Sequence, residues 1–188
     1  MNVRTCISEI QDVANYVHAK FYILRTKQIN SKLSAETWSI GQNIEHLTLF
    51  NESIAYQLST AGSKNYKIPW YARFRWLSNY HGKTILQLVH RNSVIKSKSP
   101  LQWLPTLSDV DMNIFDEYLI SLNSIVEKLN SLAKTPEKTI KVKWPADDTT
   151  YIYLENLTQI IIEHQWRHIK KCDELLYFVK HHDFNKIQ

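Results

Sequence analysis

His164 and His168 stand four residues apart in the segment 160–172, IIIEHQWRHIKKC. In a helix, positions four apart lie one above the other, so the two imidazoles point the same way. They share that face with Leu157, Ile161, Cys172 and Leu175, which aims them at a core rather than at solvent. Two neutral imidazoles so placed are part of a ligand set for a divalent cation. With 8 His in 188 residues, one such pair is close to what chance supplies, and a metal reading needs a third ligand from elsewhere.

His46 offers it. It lies four residues before Phe50, beside an apolar stripe of Ile40, Ile44, Leu47, Phe50, Ile54 and Leu58. Three imidazoles from two facing helices would form a half-shell around a cation and leave a position open for water or substrate. That open position separates a catalytic site from a structural one. Each histidine taken alone also fits a hydrogen-bonded, partly buried side chain. The H-E-x-x-H pattern of metalloproteases uses the same spacing but needs a glutamate after its first histidine, and here that position is Gln165. An amide cannot take a proton from water, so a protease reading fails on chemistry. Glu45 and Glu163 each precede a ligand candidate and are turned about 100° from it. They read as surface carboxylates or as supports for the ligands, not as bases. Cys172 shares the histidine face and reads as a buried, inert thiol.

Four long amphipathic segments must position these residues. Ile7, Ile10, Ala14, Val17, Phe21 and Leu24 predict a core-facing helix over about 5–29. Ser39 with Gln42 forms a capping box that opens a second helix over 40–61, with Trp38 placed to staple onto it and Gly62 as its stop. Ile114, Tyr118, Leu122, Ile125 and Leu129 predict a third over about 109–133. Asp147 and Asp148 are expected to cap a fourth, over about 149–179, which carries the histidine pair. Between the second and third helices, 63–107 is an aromatic and basic insert broken by Pro69, Pro100 and Pro105. It is expected to be a long loop with short helical pieces, TILQLVH at 84–90 among them, its aromatics packing over the helices. The stretch 135–145 reads as an exposed connection, and no run of strands is evident. The expected fold is all-α: one domain, a four-helix bundle with a long insert between helices two and three.

Composition agrees with this. Hydrophobic residues are 44%, and 3 Gly and 5 Pro disfavour disorder and turn-rich β folds. Cys6 and Cys172 are too few for a disulfide framework, and both are expected to be reduced. The first residues lack the apolar core of a signal peptide and no apolar run is long enough for a membrane span, so a cytoplasmic protein with no membrane partner is expected. Net charge is +5. Its clusters, Arg73/Arg75, Lys96/Lys98, Lys138 to Lys143 and Lys170/Lys171, read as solvated faces rather than a nucleic-acid footprint.

WSIGQNIEHL in the second helix, KSP at 98–100 and EHQWRHIKK in the fourth resemble the DinB/YfiT-like superfamily, over roughly 7–176 of the chain. The resemblance implies a four-helix bundle with a divalent-metal site. It implies His46, His164 and His168 as the ligands of a Zn, Ni or Fe type ion. Characterised members include bacillithiol transferases and a mycothiol-dependent maleylpyruvate isomerase. The expected activity is therefore that of a thiol transferase or hydrolase acting on a small molecule, with a low-molecular-weight thiol as a further cofactor. A homodimer is compatible with it. Two other readings stand beside this one. The first is a stress-related binding protein that keeps the site without turnover. The second is a single-stranded nucleic-acid module using Trp70, Tyr71, Arg73, Arg75 and Trp76 for stacking and phosphate contact.

Overall fold

The computed structural model describes residues 1–95, 98–133 and 139–183, with side chains to residue 181. Lys96, Lys138 and most of the expected connection before Thr139 lie outside the described residues. The described residues are mostly helical, with one small sheet: α1 (Val3–Phe21), α2 (Thr26–Ile29), α3 (Ile40–Ala61), α4 (Arg75–Val89), α5 (Ile114–Leu132), β1 (Lys141–Lys143), β2 (Tyr151–Tyr153) and α6 (Leu154–Asp183).

Each long helix buries one stripe. Val3, Cys6, Ile10, Val13, Val17 and Phe21 of α1, Ile44, Leu47, Phe50 and Ile54 of α3, and Tyr118, Leu122, Ile125 and Leu129 of α5 are buried together with Leu157, Ile160 and Ile161 of α6. Full burial of an aliphatic or aromatic side chain contributes roughly 1.5–3 kcal/mol. This shared core outweighs the weak helix propensity of the β-branched residues in it. Helices α3 and α1 both pack on α5 and on α6, so the core lies among these four. Within α1 the expected stripe is shifted: Cys6 and Val13 are buried, while Ile7 and Ala14 only edge the core. The helix stops at Phe21, and Leu24 reaches the core from the turn that leads into α2.

Ser39 opens α3 as the capping box requires, its Oγ accepting from Gln42 N at 3.2 Å and its own N donating to Gln42 Oε1 at 3.1 Å. Gly62 follows the last residue of α3 in an ordinary right-handed conformation.

Three expectations are corrected. First, the insert is more ordered than a loop: α4 occupies 15 residues and begins nine before the TILQLVH segment. Its fully buried positions are Ser78 and Gly82, small residues four apart that hydrophobic periodicity overlooks. A Cβ on Gly82 would meet Asn156 Cγ at 2.6 Å and Cβ at 2.8 Å, so glycine is what lets α4 lie against α6. The aromatics divide: Trp103 is buried, whereas Trp70, Phe74, Trp76 and Tyr80 are exposed and do not pack over the helices. Secondly, the connection before α6 holds an antiparallel pair, Lys141 to Tyr153 and Lys143 to Tyr151, rather than an exposed coil. Lys141 is buried there, its ammonium donating to Ala72 O and lying 4.8 Å from the Tyr153 ring centre, so this lysine is not part of a solvated face. Thirdly, Asp147 caps a turn and not a helix. Its carboxylate accepts from Thr149 N at 2.9 Å and Thr150 Oγ1 at 2.5 Å, and α6 starts only after β2.

Candidate metal centre

His46 of α3 and His164 and His168 of α6 are buried, and one ligand atom from each lies within 4.8 Å of the others. This is the group of metal-ligating side chains that the described residues bring together, and it unites all three histidines singled out in the sequence. Ring centres are 4.5 Å apart for His46 and His168, 4.8 Å for His164 and His168, and 5.1 Å for His46 and His164. The indole of Trp38 covers the cluster, 4.9 Å from His46 and stacked at 6.0 Å on His168. Trp38, expected to staple onto α3, thus lies over the imidazoles, His46 of α3 among them. Phe50 backs His164 at 4.3 Å.

Two of the rings are fixed by acceptors. His46 Nδ1 is 2.7 Å from the carbonyl oxygen of Trp103, which can only accept, so Nδ1 carries the proton and Nε2 presents a lone pair. His168 Nδ1 is 2.8 Å from Asn43 Oδ1, whose amide nitrogen donates to Ser39 O at 2.8 Å, so the oxygen faces the histidine. This leaves His168 Nε2 with its lone pair as well. His164 Nε2 lies 3.3 Å from His46 Nε2, while its Nδ1 is buried with no partner. Hydrogen bonds from the far nitrogen to a carbonyl are how proteins orient imidazoles that bind metals.

Electrostatics keep the rings neutral. Burial lowers the pKa of His46 to about 4, against the upward pull of the Trp103 carbonyl and with a further push from Lys171. Burial likewise places His164 and His168 well below the ordinary range, assisted by their mutual proximity and by the charges of Lys171 and Arg167. Neutral imidazole is the form that coordinates a cation. One pair already has the spacing of two ligands of a single ion, since two nitrogens at ~2.0–2.1 Å from a tetrahedral ion stand roughly 3.3–3.4 Å apart. The His46–His164 separation matches that value.

The cluster opens into a cavity of about 850 Å³ walled by Trp38, Leu88, Val94, Leu101, Trp103 and Leu104. Both carboxylates next to a candidate ligand in sequence are hydrogen-bonded to the insert. Glu45 accepts from Thr106 N at 2.9 Å, and Glu163 takes Arg91 at 2.7 and 2.8 Å. Gln165 faces away from the cavity, into a buried network with Tyr118 and Asn51. Cys172 is buried, its thiol pKa is pushed up by desolvation, and its Sγ lies 4.0 Å from Ile40 O; it is not poised as a nucleophile.

The residues that support the histidines were the ones sequence reasoning missed. Asn43 lies three residues before His46, a spacing that places both on one face of α3 and could have been read. Trp103 contributes a main-chain oxygen from the insert, for which no side-chain pattern exists. Among the described residues no helix is long and apolar enough to cross a membrane. Compared with models of protein families, with curated proteins and with solved structures, the chain matches none.

Proposed function

We propose that His46, His164 and His168 hold a divalent cation of the Zn, Ni or Fe type, and that the chain is a metal-dependent transferase or hydrolase acting on a small molecule. In this reading α1, α3, α5 and α6 are the four helices of a DinB/YfiT-like bundle. The observation that carries it is the orientation of the imidazoles. Two have their Nδ1 protons committed to Trp103 O and Asn43 Oδ1, which turns neutral Nε2 atoms inward at the floor of an open cavity. Imidazole suits Zn, Ni and Fe alike.

A cation bound there supplies Lewis-acid activation of a thiol or of water. The chain's residues do the rest. Asn43 and Trp103 fix tautomers, Trp38 and Phe50 exclude water from the rings, and the apolar wall receives the substrate. Cys172 is sealed in the core and does not reach the cavity, so in this reading the attacking group enters from solution. A low-molecular-weight thiol meets that requirement.

Metal analysis of the native chain, purified without a histidine tag, tests the reading. Stoichiometric divalent metal is expected, lost in His46→Ala, His164→Ala and His168→Ala. A native protein free of metal, or variants that retain it, would overturn the proposal. Turnover of an electrophile with a low-molecular-weight thiol by the metal-loaded chain then separates an enzyme from a binding protein.

A further inference from the structure

The cavity above the histidines carries more positive than negative side chains. Lys171 lines it, one turn beyond His168 on α6; its ammonium makes no hydrogen bond or close ion pair among the described residues, and Glu174, three residues on, acts on it only through space. Arg167, one turn earlier, is committed: it donates to the carbonyl oxygens of His90 and Ser93 at 2.9 Å and of Ile95 at 3.0 Å. Three imidazoles bring no negative charge of their own, and Glu45 and Glu163 are tied elsewhere. Glu36 and Glu174 line the cavity, against Lys98, Arg167 and Lys171, so positive groups prevail. The remaining wall is largely apolar, from Trp38, Leu88, Leu101, Leu104 and Leu175. A cation that makes no hydrogen bond at the edge of an apolar surface matches a ligand with an anionic head and an apolar body.

We propose that this cavity binds a small amphipathic carboxylate, its anionic head on Lys171 and its apolar body along Trp38, Leu88, Leu101 and Leu104. The inference rests on the metal reading only in making that ligand the reacting molecule; binding of the anion itself needs no metal.

The test uses the full chain stripped of metal with a chelator, and three probes of equal length: octanoate, octan-1-ol and octyltrimethylammonium. Calorimetry measures affinity, and quenching of Trp38 and Trp103, both in the wall, reports occupancy. Octanoate is expected to bind at least about tenfold more tightly than octan-1-ol, with the cationic probe weakest. Lys171→Met should abolish the preference for octanoate while octan-1-ol binding persists, and Lys171→Arg should restore it. Lys170→Met, at an exposed neighbour outside the cavity, should leave it intact. Equal binding of octanoate and octan-1-ol, absence of binding by any probe, or a preference that survives Lys171→Met would overturn the proposal. A chain that prefers octanoate but takes up no metal defeats the metal reading alone. One that holds metal but shows no anion preference defeats this inference alone.

Discussion

The Nε2 atoms of His46 and His164 face each other across 3.3 Å, although 118 positions separate the two residues. His46 meets that contact with a lone pair, because its Nδ1 proton is given to Trp103 O. In the metal-free chain His164 therefore donates its Nε2 proton to His46. Moving that proton to Nδ1 turns a third lone pair inward, beside those of His46 and His168, and since Nδ1 has no partner, the shift breaks no hydrogen bond on that side of the ring. His164 is thus the ring whose tautomer is free to change, while His46 and His168 are fixed. This division suits the proposed site, which would exist with and without a cation.

Neutral buried imidazoles make stability depend on pH. The folded pKa of His46 is about 4 against an ordinary 6.5, so below 6.5 the unfolded chain binds a proton that the folded chain refuses. The contribution of His46 is full above pH 6.5, falls as the pH is lowered from there, and levels off near the folded value. Integrated over that window, His46 alone accounts for ~3 kcal/mol, with His164 and His168 adding losses of the same sign. Urea unfolding in the presence of a chelator should show the midpoint falling steadily from pH 7 to pH 5, with a shallower fall in His46→Gln. A midpoint that stays constant over this range would contradict the burial of neutral rings.

Gln165 lies between two of the proposed ligands in sequence but serves the core. Its Oε1 accepts from Tyr118 Oη at 2.7 Å and its Nε2 donates to Asn51 Oδ1 at 2.7 Å, while Asn51 Nδ2 donates to Ser121 Oγ at 3.0 Å. Gln165→Leu leaves a buried hydroxyl and a buried amide oxygen without partners, at a cost of about 2–4 kcal/mol. The expected result is a clear drop in thermal stability with metal content unchanged. If Gln165→Leu were to lose metal at native-like stability, the side chain would belong to the site and not to the core.

What could be read in the chain was local. The i, i+4 histidines, the Ser39–Gln42 box and the stripes of α3 and α5 are set by spacing within one helix, and each lies where spacing placed it. Contacts between distant segments were not legible. Trp103 O reaches His46 from 57 positions away, and Asn43 reaches His168 from 125. The element α4 was underread because the face it buries against α6 is built of Ser78 and Gly82. The β1–β2 pair was missed because three-residue strands give too short an alternation to register. Lys141 looked like a surface charge because its acceptor, Ala72 O, lies 69 positions away.

The segment 90–95 is held on α6 by two residues one turn apart. Glu163 receives Arg91 through Nε and Nη2 and also takes the Arg91 backbone N–H at 3.1 Å, and Arg167 gathers three carbonyls of the same segment. Arg91 is 37% exposed in its side chain, so solvent screens the ion pair and its share is about 1 kcal/mol. Glu163→Gln should therefore speed amide exchange at Arg91 by about fivefold, and Arg167→Met should loosen the segment as a whole. Because both residues restrain the same six-residue span, their effects should be less than additive in the double variant. Ser93 and Val94 of this span line the cavity, so octanoate should bind more weakly in either variant while metal content stays constant. Hydrogen exchange read by mass spectrometry over 90–95, alongside metal analysis, checks both parts. Exchange unchanged in both single variants would show that the segment is held by other contacts.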